Sequence, residues 1–487
     1  MGDKSICVIG GGLAGGIAAS TLAAKGHSVT LVELGDDPAP LLPGNEEWES
    51  AKVKAAFTRG KGVGGTSNFW HGGLTVLDKT DVEGPSLPGG DSRAPISYAR
   101  LRELYARAMA VVRNGGSYSL DDIEDPSDAS LAGFATPGSA FRLKALLYPQ
   151  RPFSTRPLIE RAAASHGLRV VTNVEIRKLV SASARRVAYA EGVDINSGAP
   201  RRFPADIFIL SAGGLGSPKI LLESIVDLPA LEGLPIGRFV TDHPTGFVFK
   251  AKLRHRMDLT PFFGLSNRGF KVRYGFALKD EHLANADFHN HILYLRPATS
   301  LKDPAVYDFL KRNLVAYRGR RLTLSDVAYL FRNTDLLFDA INFKYGLIRS
   351  TRYISGLVFA EQLPSEEMRI HRREDGSFAI RWNVSDADAQ SLQKFLKLFS
   401  EHYGGQFETF TVFPDVGARL DCAGHHSGAC RMASSAANGV VDSDLRVFGT
   451  DNLFVVDGSV LAYTGHANTG LTIAALALKC CDTVGDS

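Results

Sequence analysis

The feature that most restricts what this chain can fold into is a glycine run wedged between an apolar strand and an alanine-rich segment at its start. Residues Ser5 to Ile9 read as a short buried strand. Gly10-Gly11-Gly12-Leu13-Ala14-Gly15 follows, then an alanine-rich helix over about Gly16 to Lys25 and a second strand from Ser28 to Glu33. Gly10, Gly12 and Gly15 fill the G-x-G-x-x-G spacing, in which glycine allows a tight turn and a close backbone approach to a pyrophosphate at the helix N-terminus. Glu33 ends the second strand, where a carboxylate can accept hydrogen bonds from a ribose. The spacing alone is weak. Strand, helix and terminal acid in the right order make it a specific prediction of dinucleotide binding in the first βαβ unit of a doubly wound sheet.

Size and composition set the frame. At 487 residues the chain exceeds one ordinary core, so two domains are expected. Apolar residues are 44% and charged residues 22%, the range of globular proteins. The formal charge is 55 − 52 = +3, which gives no basic face of the kind nucleic acid requires. Five dispersed cysteines make no disulfide framework and fit a reducing compartment. The apolar run Ile6 to Ile9 is too short for a signal-peptide core, and no stretch reaches the ~18 apolar residues of a membrane helix. The expectation is a soluble, cytoplasmic protein with no transmembrane segment.

Further along, Arg59 to Gly73 reads RGKGVGGTSNFWHGG, a loop whose glycines around Thr66 and Ser67 suit close approach to a ligand. Residues 86–154 are rich in Pro, Gly, Ser and Asp around one helix (Tyr98 to Arg113) and read as a lid or excursion. Asp206 to Gly214 is another buried strand running into a glycine turn and a helix. From Gly246 the texture changes to strands of a separate sheet at Phe247 to Leu253, His291 to Leu295 and Ile354 to Gln362, with helices interposed between Pro304 and Tyr345. After a helix at Asp386 to Tyr403 the last stretch returns to strand, glycine and helix. The expected architecture is α/β. A discontinuous Rossmann-type cofactor domain (1–85, 155–245 and 405–487) carries an inserted α+β substrate domain, 246–404, built on an antiparallel sheet.

Five segments in register then resemble the glucose–methanol–choline (GMC) oxidoreductases, which bind FAD and oxidise alcohols. They are Arg59-Gly-Lys-Gly-Val-Gly-Gly65-Thr-Ser, Phe208 to Pro218, Ile236 to Pro244, His425-His-Ser-Gly-Ala-Cys-Arg-Met432, and Asn452 to Ser459 with Asn468-Thr-Gly-Leu-Thr472. The resemblance implies that His425 and Asn468 are the catalytic pair, with His426 and His466 as nearby competitors. It also implies cofactor contacts from Gly10, Gly12, Leu13, Ala14, Gly15, Glu33, Arg59, Gly64, Gly65, Thr66, Trp70, Val174, Ala212, Asp457, Gly458 and Thr469. Some members attach FAD through a histidine in the first loop. The matching position here is Phe69, which implies non-covalent FAD, although His71 lies two residues on. The implied chemistry is oxidation of a hydroxyl on a sugar, glycoside or polyol-like substrate, with O₂ or another acceptor reoxidising the flavin. The alternatives are a non-redox lyase or isomerase on the same scaffold and a non-catalytic flavin-binding subunit.

Other clusters have simpler readings. Cys422, His425, His426 and Cys430 suggest zinc, but C-x₂-HH-x₃-C fits no common zinc spacing, so no metal is expected. His289 and His291 read as a substrate-facing or satisfied pair rather than a chelating one, and Cys480-Cys481 as packed thiols. Lys311 to Arg352 mixes basic residues (among them Arg312, Arg318, Arg320, Arg321, Arg332, Lys344 and Arg349) with Leu, Phe and Tyr, which suits an anionic or membrane-facing surface. Asp308, Asp326, Asp335 and Asp339 dilute that charge, and the expected form is an amphipathic helix pair with one solvated side.

Overall fold

The computed structural model describes residues 4–41, 48–49, 59–84, 94–113, 118–124, 139–259, 262, 270–283, 288–304, 323–345, 347 and 350–485. The first sheet has five strands in the order Leu453–Val455, Ile207–Leu210, Ser5–Ile9, Ser28–Val32, Arg169–Val171, all parallel. Ile207–Leu210 and Leu453–Val455 are buried throughout and Ser5–Ile9 from Ile6 on, so the central strands read as unbroken apolar runs rather than alternating ones. Helix Leu13–Ala24 lies against this sheet and packs on Arg156–Ser165 and on the C-terminal helix Gly470–Gly485. A three-stranded antiparallel sheet, Val174–Ser183, Arg186–Asp194 and Pro200–Pro204, flanks it.

The second large sheet is antiparallel, in the order Phe407–Val412, Pro244–Asp258, Ser350–Phe359, Ile292–Ala298, Phe270–Leu278, Phe141–Pro149, with Asp421–Cys422 pairing the start of Pro244–Asp258. Helix Asp386–Tyr403 covers one face. A Ser385–Asp388 capping box starts this helix, and Phe395, Phe399 and Tyr403 meet Phe141, Phe249 and Phe276 at 5.3–6.0 Å between ring centroids.

Two expected boundaries fall elsewhere. Phe141–Pro149 is not part of a lid: it pairs along its whole length with Phe270–Leu278 as an edge strand of the substrate sheet. Phe407–Val412, expected in the cofactor domain, pairs with Pro244–Asp258 in the same sheet. Helix Tyr98–Val112, expected in the excursion, packs on the C-terminal helix. Each placement is decided by partners more than a hundred residues away.

The helix pair at Leu324–Arg332 and Thr334–Tyr345 is present, and its described side chains are of mixed polarity on both sides. Asp339 and Asn342 turn inward, whereas Phe338 and Ile341 are 41% and 42% exposed and Phe331 is 76% exposed. The inward carboxylate of Asp339 accepts the Thr299 N–H at 3.2 Å. Burial pushes its pKa up to about 6 against the Thr299 hydrogen bonds that lower it. Lys311, Arg312, Arg318, Arg320, Arg321 and Arg349, with Asp308, lie outside the described residues. No helix among the described residues is long and apolar enough to cross a membrane.

Candidate active site and cofactor cleft

The nucleotide loop is built from glycines with two different jobs. Gly10 adopts φ +100°, and a Cβ there would stand 2.5 Å from the Ser211 carbonyl oxygen. A Cβ at Gly15 would stand 1.9 Å from the Gly10 carbonyl oxygen, so strand, turn and helix are locked backbone to backbone. Gly12 differs: a Cβ there would meet nothing within 4 Å. Gly12 is also the N-cap of Leu13–Ala24, with no side-chain cap and no acid in the first turn. The free N–H groups and the positive end of the helix dipole therefore remain available to an anion. Leu13 is half-buried beside them and Ala14 is buried.

Glu33 is placed at this loop, but its carboxylate is engaged by backbone. Oε2 accepts the Gly11 N–H at 2.7 Å, and Oε1 accepts Gly62 N–H at 3.0 Å and Gly35 N–H at 3.3 Å. Burial raises its pKa while these donors oppose the rise. It acts as a latch between the nucleotide loop and the glycine-rich loop.

That second loop docks directly on the first. Gly64 N–H donates to the Gly11 carbonyl at 3.0 Å, and a Cβ on Gly65 (φ +49°) would stand 2.8 Å from Gly12 Cα. Thr155 Oγ1 donates to the Gly12 carbonyl at 3.3 Å. Thr66 is exposed and accepts the Gly60 N–H through Oγ1, and Arg59 is half-buried next to it. Trp70 is held by its indole N–H on the Phe153 carbonyl at 2.6 Å. Its ring lies so close to Gly470 that a Cβ there would come within 2.2 Å. Phe69 is 39% exposed.

On the far side, Asp457 clamps two turns. Oδ2 accepts Gly213 N–H at 2.9 Å and the Ser217 hydroxyl at 2.5 Å, while Oδ1 accepts the Ser459 N–H at 2.8 Å and hydroxyl at 2.6 Å. Burial raises its pKa against these four donors. Gly213 (φ +87°) presents open space next to half-buried Ala212, and Gly458, Thr469 and Val174 are buried around the cleft. An uncapped helix start, two glycines with open sides and a rim of half-buried residues between buried ones fit FAD's pyrophosphate and extended shape.

His425 and Asn468 meet. Asn468 Nδ2 donates to His425 Nε2 at 3.4 Å, and both side chains are half-buried. An amide nitrogen has only hydrogens to offer, so the Nε2 lone pair and the carboxamide converge on one point. The fully buried His243 ring stands edge-on to His425 at 5.2 Å between centroids, and burial lowers its pKa. Both competitors are committed elsewhere. His426 places Nδ1 3.0 Å from Asp242 Oδ2, and buried His466 donates from Nδ1 to the Asn290 carbonyl at 3.0 Å.

Several residues around the pair escaped the sequence reading. Asp242, quoted only within Ile236 to Pro244, anchors the His425 loop. Behind His466 lies a buried ionic cluster: Lys144, 0% exposed, pairs with Asp78 at 2.7 Å, Arg142 reaches the same carboxylate at 2.5 Å, and Asn290 bridges Asp78 and Asp81 at 2.9 Å each. Of the suggested zinc set, only Cys422 and His426 come together, with Asp242. His291 is satisfied by the Glu361 N–H and Ser391, and His289 faces Asp388 at 3.7 Å. Cys480 and Cys481 are buried free thiols.

The structure thus combines a parallel sheet bearing a glycine-rich nucleotide loop with a second, antiparallel sheet, and brings an imidazole and a carboxamide together between them. Residues 370–477 match the family model described as GMC oxidoreductase, and residues 8–54 match that of an NAD(P)-binding Rossmann-like domain. The two matches, one at each end of the chain, support a GMC-type oxidoreductase that uses FAD as its cofactor. It is 22% identical to the 6'''-hydroxyparomomycin C oxidase of Streptomyces lividus, over 97% of this chain and 90% of that protein. It is 38% identical to the glucose oxidase of Aspergillus carbonarius (strain ITEM 5010) over 65% of this chain, spanning only 55% of that relative's length. The solved pyridoxine 4-oxidase from Mesorbium loti shares the fold at a TM-score of 0.57, with 15% identity over 99% of both chains.

Proposed function

We propose that the protein oxidises a hydroxyl group of a sugar, glycoside or polyol-like substrate to a carbonyl, with His425 as the general base. The observation that carries this reading is the convergence of Asn468 Nδ2 on His425 Nε2 at the edge of the cleft. The names of two relatives, a glucose oxidase and a hydroxyparomomycin oxidase, support the substrate class.

Alcohol oxidation removes a proton from oxygen and a hydride from carbon. FAD, when bound, supplies the hydride acceptor. His425 Nε2 takes the hydroxyl proton, a role typically contributing ~10²–10⁴-fold to rate. Asn468 donates to the developing alkoxide and holds the carbon in place. His243 stays neutral because it is buried, so it adds no positive charge beside the imidazolium that forms. Trp70, fixed by Phe153 and pressed on Gly470, walls the cleft at the start of the C-terminal helix.

His425→Ala should retain FAD yet lose anaerobic flavin bleaching by a panel of sugars, glycosides and polyols. Undiminished bleaching would remove His425 from the mechanism. Admitting air after bleaching then distinguishes O₂ from another acceptor. With phenylalanine at position 69, FAD is held non-covalently, and acid precipitation should leave the flavin in the supernatant.

A further inference from the structure

Asp242 gathers the donors of the loop that carries His425. Its Oδ1 accepts the N–H of His243 at 2.6 Å and of Ala423 at 3.1 Å. Its Oδ2 accepts the Gly424 N–H at 3.1 Å, the Cys422 thiol at 3.0 Å and stands 3.0 Å from His426 Nδ1. Thr241 and Ser427 exchange both backbone hydrogen bonds at 3.0 and 2.9 Å, and a Cβ at Gly428 would stand 1.9 Å from the Phe239 carbonyl oxygen. Residues 422–428 are thus docked residue by residue on 239–243, across a sequence gap of about 180 positions. None of these bonds goes to the His425 ring.

A carboxylate 1% exposed cannot be screened by water as a surface one is. Burial alone would raise its pKa. The hydrogen bond and charge of His426, the charge of His425 and the Cys422 hydrogen bond hold it well below the usual carboxylate range. Asp242 is therefore a fixed negative charge under the His425 loop, with the His426 ring in direct contact at 3.0 Å. Among the groups in contact with His425 are His243, whose pKa burial lowers, and the uncharged Asn468.

We infer that Asp242 is a positioning residue that fixes the His425 loop and, through its buried charge, raises the basicity of His425, with His426 moderating that charge. Its catalytic consequence rests on His425 being the base; the proton affinity of the ring does not, and can be measured without substrate. The experiment is a pH titration of the holoenzyme labelled with ¹⁵N-histidine, reading ring nitrogens, with His425 assigned by loss of its signals in His425→Asn. In Asp242→Asn the His425 midpoint should fall by about one pH unit, a tenfold loss of proton affinity. In His426→Gln, which keeps an N–H donor for Asp242 but no charge, it should rise. Cys422→Ala, which removes a donor and leaves the charge, should keep the wild-type midpoint. An unshifted His425 midpoint in folded Asp242→Asn overturns the inference. Should that variant not fold, a midpoint in His426→Gln that is unchanged or lowered overturns it instead.

Discussion

Asp457→Ala tests how the cofactor cleft is held together. In the wild type the carboxylate, 4% exposed, accepts four hydrogen bonds, two from the hydroxyls of Ser217 and Ser459 and two from the backbone N–H groups of Gly213 and Ser459. The hydroxyls can rotate toward other acceptors once the carboxylate is gone. The two N–H groups cannot turn, because both belong to turns fixed by neighbouring backbone. A buried donor left without a partner costs ~1–3 kcal/mol; the Ser459 N–H bears that in full and the half-buried Gly213 N–H less, so the two together cost ~2–4 kcal/mol. Asp457→Asn keeps the shape and one acceptor oxygen but turns an NH₂ toward one pair of donors, so about half that loss is expected. Equilibrium urea denaturation of the apoproteins, followed by tryptophan fluorescence, reads the difference, and released flavin reads the cleft. The alanine variant should be the least stable and should lose FAD, because the turns at 213 and 458 are no longer tied. An Asp457→Ala protein within ~1 kcal/mol of wild type and still yellow would refute the reasoning.

Two further outcomes follow from the same geometry. Gly12→Ala should fold normally, since its Cβ meets no protein atom, but should hold FAD weakly. Gly15→Ala should fail to accumulate as folded protein, because its Cβ would stand 1.9 Å from the Gly10 carbonyl oxygen; circular dichroism and flavin content separate the two. Asp81 is pushed up to about 7 by burial first and by Asp78 and Glu361 next. A folded-state value above the unfolded ~3.9 means the unfolded chain releases this proton first. Stability should therefore fall as pH rises from ~4 to ~7, by up to ~1.4 kcal/mol per unit, and Asp81→Asn should flatten that slope in pH-dependent denaturation.

What the sequence disclosed and what it concealed divide along one physical line. The opening βαβ unit and helix Asp386–Tyr403 were legible because their signals are local: a glycine spacing, an apolar run, and Ser385 three residues before Asp388 at a helix start. His425 and Asn468 were legible through motif resemblance, and the structure brings them together. Phe141–Pro149 was read as part of an excursion because its identity as a strand depends on Phe270–Leu278, far along the chain. Asp242 was passed over for the same reason: nothing near it announces Cys422, Ala423, Gly424 and His426 as its partners. Glu33 shows a subtler limit. Its position at the end of a strand was read correctly, but its backbone donors come partly from Gly62, in a loop whose docking no local pattern reveals. The inward Asp339 and outward Phe338 reverse the usual polarity because Thr299 supplies a buried partner that periodicity does not register.

The order of strands in the parallel sheet has a consequence for synthesis. Ser5–Ile9 lies in the middle of that sheet, yet its outer neighbour beyond Ile207–Leu210 is Leu453–Val455, and helix Leu13–Ala24 is covered by Gly470–Gly485. In synthesis the nucleotide loop at residues 10–15 therefore precedes the Asp457 clamp, Asn468 and the covering helix Gly470–Gly485. The surroundings built jointly from residues 10–15, Gly213 and the segment 457–470 are complete only once the last of these has been made.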